Sequence, residues 1–306
     1  MTLDCFLPAN PPFSLVAVAE SHGWVQLPPF RWADAPRVET AWDREAADGG
    51  TLTRVERLTS GQVVELCMRE RGVGVQVEVS EQLTEAEARE IEAKVGWMLQ
   101  LDQDFSAFYA RTEDEPRLAH VERLAKGRIL RSPTLFEDVV KTILTTNVQW
   151  SGTIRMTGAL VERFGACLTD DAERRAFPTA ASLAAADETA LREAGLGYRA
   201  PYVLALARAV VSGEMDLEEL KSAEVPTDEL HHRLLSIKGV GEYAAASLMM
   251  LLGRYAFIPV DSWARQMVSR EWHDGVPVAR EEVEAAFEGW GPWRGLAYWF
   301  WDWRHR

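Results

Sequence analysis

The chain has 306 residues, long for one compact core and comfortable for two. A composition of 47% hydrophobic and 26% charged residues is that of an ordinary folded protein, not of a disordered or collagen-like chain, and the length argues against a disulfide-stapled miniprotein. With Lys+Arg 33 against Asp+Glu 47 the formal charge is −14, which argues against gripping nucleic acid by bulk electrostatics.

The distribution of charge says more than its sum. Residues 1–116 carry 10 basic against 21 acidic groups and residues 164–230 carry 6 against 13, whereas 117–163 carry 8 against 4 and 231–306 balance at 9 each. An acidic protein of this kind could still turn a neutral-to-basic face to a phosphate backbone, although chance patterning of a solvated surface would look the same. No run approaches the roughly 18–20 apolar residues of a membrane span, and the opening MTLDCFLPANPPF lacks a basic segment followed by an apolar one, so a cytoplasmic protein without a membrane partner is expected. Cys5, Cys67 and Cys167 are odd in number and far apart, without ligand spacing, which argues against structural zinc and iron–sulfur clusters. No metal site is expected.

In chain order, the first regular pattern runs from Thr51 to Val79. TLTRVERL, QVVELCMRE and VGVQVEV alternate apolar and polar residues, separated by SG and RGVG turns, and predict antiparallel hairpins. After Leu83, Thr84 with Glu85, Glu87 and Glu90 opens a helix, acidic at its start as the macrodipole prefers, and no strand pattern is expected beyond it. In SPTLFEDVVKTILTTN, Ser132 is the expected N-cap with Pro133 at the first helical position, heading a buried helix that ends near Asn147. Further helices are expected at 152–164, 179–194, 200–212, 227–237, 242–252, 262–271, 280–288 and 292–303. The fold class is α+β, mostly helical, with an N-terminal antiparallel sheet domain over 1–82 and a helical core over 83–306.

The most specific segment is LLSIKGVGEYAAASLMMLLGRYAFIPVDSWARQ. Gly239 and Gly241, one residue apart around Val240, let the backbone turn sharply and leave amides open at a helix start, which suits a phosphate oxygen without any charged side chain. Asp261 follows a stiff apolar FIPV stretch and opens the next helix. A capping role alone would account for an aspartate there.

Gly239-Val240-Gly241 followed about twenty residues later by Pro259-Val260-Asp261 resembles the helix-hairpin-helix and Gly/Pro…Asp loop of the DNA glycosylase superfamily that includes endonuclease III, 8-oxoguanine glycosylase and 3-methyladenine glycosylase II. The resemblance implies a glycosylase core at 83–306 with its helix-hairpin-helix at about 228–252. It implies that the hairpin binds backbone phosphate and that Asp261 is the catalytic carboxylate, against the sugar of a flipped nucleotide. GLGYRAPYV at 195–203 resembles the segment of 8-oxoguanine glycosylase that wedges a tyrosine into the duplex and contacts the orphaned base with the next arginine, which puts Tyr198 and Arg199 on the DNA. LTTN at 144–147 resembles the helix end that fills the hole left by the extruded base, with Asn147 as the plug. Each has a blander reading: a common turn, a core tyrosine, a helix C-cap residue. The resemblance covers about 117–303, and the sheet at 51–79 is similar in pattern to the N-terminal antiparallel domain that 8-oxoguanine glycosylase and 3-methyladenine glycosylase II share.

Two departures set the expected chemistry. Where bifunctional members carry a nucleophilic lysine, two residues after Gly241, this chain has Tyr243. Lys238 lies on the other side of the hairpin, where phosphate contact or solvent exposure is the favoured reading over a nucleophilic role. The implied enzyme is a monofunctional base excision repair glycosylase that flips out a damaged base and hydrolyses its N-glycosidic bond, Asp261 stabilising the positive charge that develops on the sugar. Tyr243 resembles the alkylation-repair branch, whose electron-rich rings face a cationic purine. That branch has a second aromatic four residues on, where Ser247 stands here, so Tyr243 and Ser247 are the expected base pocket. Alkylated purines of the 3-methyladenine type rank narrowly first, 8-oxoguanine second, and a non-catalytic helix-hairpin-helix DNA-binding protein is the alternative of another class. The aromatics of WGPWRGLAYWFWDWRHR could line the pocket, with simple packing of Trp299, Phe300 and Trp301 at least as good a reading. The expected partner is double-stranded DNA with a damaged base, bound by a monomer. No cofactor is expected, with a monovalent cation at the hairpin left open.

Overall fold

The computed structural model of the chain describes residues 2–33, 50–79, 81–222 and 224–303. The three expected strands are present as Thr51–Arg57, Val63–Glu70 and Gly74–Val79, and two more complete the sheet. In chain order these are β1 (Leu3–Pro8), β2 (Phe30–Ala33), β3 (Thr51–Arg57), β4 (Val63–Glu70) and β5 (Gly74–Val79), all antiparallel in the order β1-β5-β4-β3-β2. The register opposes Leu52 to Met68 and Met68 to Val77 on the buried face of the pleat, which also carries Arg54 opposite Leu66 and Glu56 opposite Val64.

Short helix α1 (Leu15–Ala19) lies between β1 and β2. After the sheet come α2 (Glu85–Leu99), α3 (Ser106–Thr112), α4 (Leu135–Thr145), α5 (Trp150–Phe164), α6 (Ala180–Ala185), α7 (Glu188–Leu191) and α8 (Ala200–Ser212), then α9 (Thr227–Leu235), α10 (Glu242–Leu251), α11 (Ser262–Trp272), α12 (Arg280–Ala286) and α13 (Arg294–Phe300). None is long and apolar enough to cross a membrane.

Several local expectations need correction. The chain returns to strand once more, in a small hairpin of β6 (Cys167–Leu168) and β7 (Asp171–Arg175), whose Arg174 bonds Glu65 of β4. Its sequence, DAERR, is too short and polar to show a period. Thr134, not Ser132, caps α4, accepting from Glu137 N at 3.3 Å, while Ser132 is buried and its Oγ accepts from Lys141 Nζ at 3.2 Å. The helix expected over 179–194 is two short ones followed by a wide turn at Arg192–Leu196, because Gly195 takes φ +87° and ends the helical path. The helix expected over 292–303 starts only at Arg294 and ends at Phe300.

By its contacts the chain divides into two compact units, one of residues 1–104 and 128–218, the other of 105–127 and 219–306. The sheet thus shares a unit with α2 and α4–α8, a different grouping from a cut at residue 82.

A buried ion cluster ties the first unit together. Arg54 of β3 has no exposed surface; it donates to both oxygens of Glu137 on α4, at 3.2 and 3.0 Å, and to Glu56 at 2.7 Å. Lys141, one turn on from Glu137, is equally buried and pairs with it at 2.7 Å, and Lys94 of α2 bridges Glu56 and Glu90 at 2.7 and 2.8 Å. Three cations thus face three anions. Burial alone would raise the Glu137 carboxyl, but Arg54 and Lys141 outweigh it and hold that group down to about 2. Removing one partner strands the others in an apolar setting, so Arg54→Met is expected to cost about 3–5 kcal/mol in urea denaturation. Adding Glu137→Gln to it should restore part of that loss.

Next to this cluster, Asp138 Oδ1 accepts from Trp24 Nε1 at 2.8 Å and Ser132 N at 3.0 Å, while Oδ2 is buried without a partner. Burial pushes its carboxyl up to about 6 against the pull of those bonds, and burial pushes the His22 imidazole down to about 4. Relative to the unfolded values of 3.8 and 6.5, Asp138 contributes stability that is full below pH 3.8 and lost as pH rises through 6. His22 contributes stability that is present above pH 6.5 and lost as pH falls through 4. The two offset each other between. Asp138→Asn should therefore be more stable than wild type at pH 7.5 by about 1–3 kcal/mol. In a pH series of denaturant titrations its stability should fall steadily from pH 6.5 to 4, where wild type stays nearly level and the advantage disappears.

Candidate functional site in the helix-hairpin-helix unit

In the second unit, α9 and α10 are two packed helices joined by the turn that the glycine spacing predicts. Gly239 takes φ +91°, which only glycine adopts without strain, and Val240, buried, closes the turn by donating to Ile237 O at 3.0 Å. Gly241 is the N-cap of α10 and supplies no side-chain acceptor to its first-turn amides. That end of the helix is open to an external anion. Glu242 in the same turn is directed sideways, its carboxylate 3.4 Å from Arg280 and 3.6 Å from His231. Lys238 is exposed beside the turn. A monovalent cation here would have to be held by backbone carbonyls, of which Ile237 O already accepts from Val240.

Asp261 is exposed on a buried support, with Ile258 and Pro259 beneath it. It caps α11 through one oxygen, Oδ1 accepting from Ala264 N at 2.7 Å. The loop before it is stitched down by backbone contact. Gly295 N donates to Tyr255 O at 2.8 Å and Arg294 Nε donates to Ala256 O, so the start of α13 lies directly on residues 255–257. A Cβ at Gly295 would stand 2.5 Å from Phe257 O, so the approach requires glycine. From the other side His231 stacks on Phe257, ring centroids 4.3 Å apart.

One turn after Gly295 comes Tyr298, 4% exposed. Burial, and then the charges of Asp261 and Tyr243, push its phenol well above the ordinary value, so it stays protonated and within electrostatic reach of both. Its ring meets Trp263 edge-on at 6.4 Å and Trp303 at 6.0 Å, and Trp263 is itself 47% exposed on the first turn of α11. The sequence does not single out Tyr298; the aromatic closing segment is the signal, but nothing in it says which ring lies within electrostatic reach of Asp261. Phe300 and Trp301 take the packing role, Trp301 against Trp272 and Phe287 at 5.4 Å each. Tyr243 is half-buried at the start of α10. Ser247, expected beside it in the pocket, spends its hydroxyl on Tyr243 O at 2.9 Å.

The remaining site residues lie in the first unit and cluster there. α4 ends at Thr145, and Asn147 is exposed beyond it with φ +49°, a conformation asparagine tolerates better than most residues. Tyr198 is 46% exposed, not a core residue; its hydroxyl donates to Thr146 O at 3.2 Å and lies 3.5 Å from Asn147 Nδ2. Arg199, expected on the DNA, is instead 6% exposed, its guanidinium over the Tyr198 ring at 4.4 Å and its Nη2 on the carbonyls of Thr146 and Asn147. Among the described residues no group of three or more His, Cys, Asp or Glu side chains is arranged to hold a metal ion.

Comparison with known proteins places the chain among DNA repair proteins. The N-glycosylase/DNA lyase of Saccharomyces cerevisiae is 26% identical, with 53% of this chain and 52% of that protein covered. The DNA-3-methyladenine glycosylase 2 of Escherichia coli is 29% identical, with 53% and 55% covered. The chain spans about half the length of these relatives. Among solved structures, the 3-methyladenine DNA-glycosylase from Archaeoglobus fulgidus shares the fold over 97% of each chain, with a TM-score of 0.75 at 22% identity. Residues 140–292, half of the chain and inclusive of both the hairpin and Asp261, match one family description, and the chain belongs to the HhH-GPD superfamily of base excision DNA repair proteins.

Proposed function

We propose that the chain is a monofunctional DNA glycosylase that flips a damaged purine out of duplex DNA and hydrolyses its N-glycosidic bond. The observation that carries the reading is Asp261: an exposed carboxylate on a rigid loop, in one unit with an open glycine hairpin and a protonated, buried Tyr298. The hairpin amides and Lys238 hold the backbone phosphate. Asp261, with one oxygen tied to its helix, turns the other to the sugar and stabilises the cationic character that grows as the bond lengthens. Asn147 fills the gap in the duplex, and Tyr198 presses on the neighbouring bases.

An alkylated purine is the preferred substrate. It carries a positive charge, and the half-buried ring of Tyr243 together with the exposed Asp261 carboxylate would favour a cation over a neutral base. The Escherichia coli relative is named for 3-methyladenine. The second reading, 8-oxoguanine, rests on the GLGYRAPYV segment.

Asp261→Asn separates capping from catalysis, because asparagine caps about as well. Its thermal midpoint should stay within about 2 °C of wild type, consistent with a cap change of a few tenths of a kcal/mol. Its single-turnover excision of an alkylated purine should fall by about 100-fold or more, while binding to lesion-bearing duplex survives. Unchanged excision would make Asp261 a cap alone, and no excision of alkylated purine, 8-oxoguanine or hypoxanthine by wild type would favour a non-catalytic DNA-binding protein.

Tyr243 cannot form a Schiff base. Borohydride should therefore trap no covalent protein–DNA adduct during turnover, and strand breaks should appear only after alkali. Lys238→Ala should leave that pattern unchanged while weakening duplex binding and lowering its salt dependence. A trapped adduct lost in Lys238→Ala would make Lys238 a nucleophile and the enzyme bifunctional.

A further inference from the structure

The end of α4 leaves backbone carbonyls that the helix itself cannot satisfy. Thr153 Oγ1 donates to Leu144 O at 3.2 Å, and two of the carbonyls beyond it, Thr146 O and Asn147 O, are both served by one side chain, Arg199. Tyr198 adds a second donor to Thr146 O and a ring under the guanidinium. The far side of the same turn is held by Trp150, whose ring covers Gly23 so closely that a Cβ there would overlap it, and whose Nε1 donates to Gln26 Oε1 at 2.8 Å. Between the carbonyls held by Arg199 and the anchored Trp150 stands Asn147, left-handed and exposed.

We propose that Arg199 is a positioning residue: it fixes the 146–147 backbone so that the Asn147 side chain projects ready-made for insertion, and it does not read the base opposite the lesion. A guanidinium 6% exposed and bonded to two carbonyls would have to break a cation–π contact and those bonds, and strand the carbonyls, to reach a base edge. A cation at a helix C-terminus is where the macrodipole prefers one. Pre-setting the left-handed turn means that its ordering cost is met in folding instead of in DNA binding. The inference rests on the glycosylase reading only for the insertion of Asn147 into damaged duplex.

The test is a double-mutant cycle read by fluorescence anisotropy, on duplexes carrying a stable abasic-site analogue opposite each of the four bases. Wild type, Arg199→Met, Asn147→Ala and the double variant are compared. Each single variant should bind about tenfold more weakly, and the double variant within about twofold of Asn147→Ala, because a clasp has nothing to act on once the plug is gone. The order of preference among opposing bases in Arg199→Met should match wild type. Arg199→Lys, which keeps one donor toward the carbonyls, should recover part of the loss, and it carries the cycle if Arg199→Met fails to fold by thermal unfolding.

Losses that multiply in the double variant, a changed opposing-base order in Arg199→Met, or no loss in Asn147→Ala would each overturn the proposal. The readout is binding and not excision. Additive losses in a protein that still excises overturn the clasp alone; the expected cycle in a protein that excises nothing overturns the glycosylase reading alone.

Discussion

Glu137 can be ionised inside the protein only because Arg54 and Lys141 flank it, and the placement of α4 follows from that requirement. A carboxylate in an apolar interior is far too costly by itself. Strand β3 must therefore bring Arg54 to the first turn of α4, and α4 must bring Lys141 one turn further along the same face. Lys94 and Glu90 complete the charge balance from α2. Such a cluster adds little net stability, but it tolerates no other register, since any slip would strand a charge. At its opposite end the same helix is finished by a second arginine, Arg199, on the carbonyls of Thr146 and Asn147. A helix fixed at both ends by buried guanidinium groups can present one exposed side chain, Asn147, in a defined place.

The second unit meets the same demand for rigidity with backbone and little charge. Gly295 lets α13 rest on the loop of residues 255–257, the indole and phenol rings of α11 and α13 pack edge to face, and Asp261 emerges from a segment with no freedom to drift. The apolar, almost fully buried α10 explains why the hairpin between α9 and α10 can afford an uncapped N-terminus: packing holds the helix, so the amides remain for another partner.

Features carried by local chemistry were legible in the sequence. The alternation at 51–79, the helix at 200–212 and the Gly239–Gly241 turn each depend on residues close together in the chain, and the structure has them there. What escaped depends on contacts far along the chain. Ser132 reads as an N-cap until Lys141 claims its hydroxyl, and Thr134 then takes the cap. β6 and β7 form a two-stranded hairpin whose Arg174 reaches Glu65 across more than a hundred residues, a pairing that no period announces. Arg199 reads as a DNA contact by its place in a motif, and only the fold shows that the end of α4 lies within its reach. Tyr298 is one aromatic among many in its segment, and only the fold brings it within electrostatic reach of Asp261.

Capping and catalysis stand as competing explanations of Asp261 in the sequence, and the geometry makes the two compatible, because capping occupies only one carboxylate oxygen. A free aspartate side chain on an exposed loop would sample several rotamers, each holding its oxygens differently against a sugar. Bonding Oδ1 to Ala264 N selects one rotamer and leaves the other oxygen fixed with respect to α11. Electrostatic stabilisation of a developing cation is effective to the extent that the stabilising charge need not reorganise when the cation forms. On the glycosylase reading, the cap also serves the charge: the helix holds the carboxylate in place, and the helix start in turn needs an acceptor there. Asparagine can serve the helix equally well and the cation hardly at all, which is why exchanging one oxygen for an amide nitrogen tells the two roles apart.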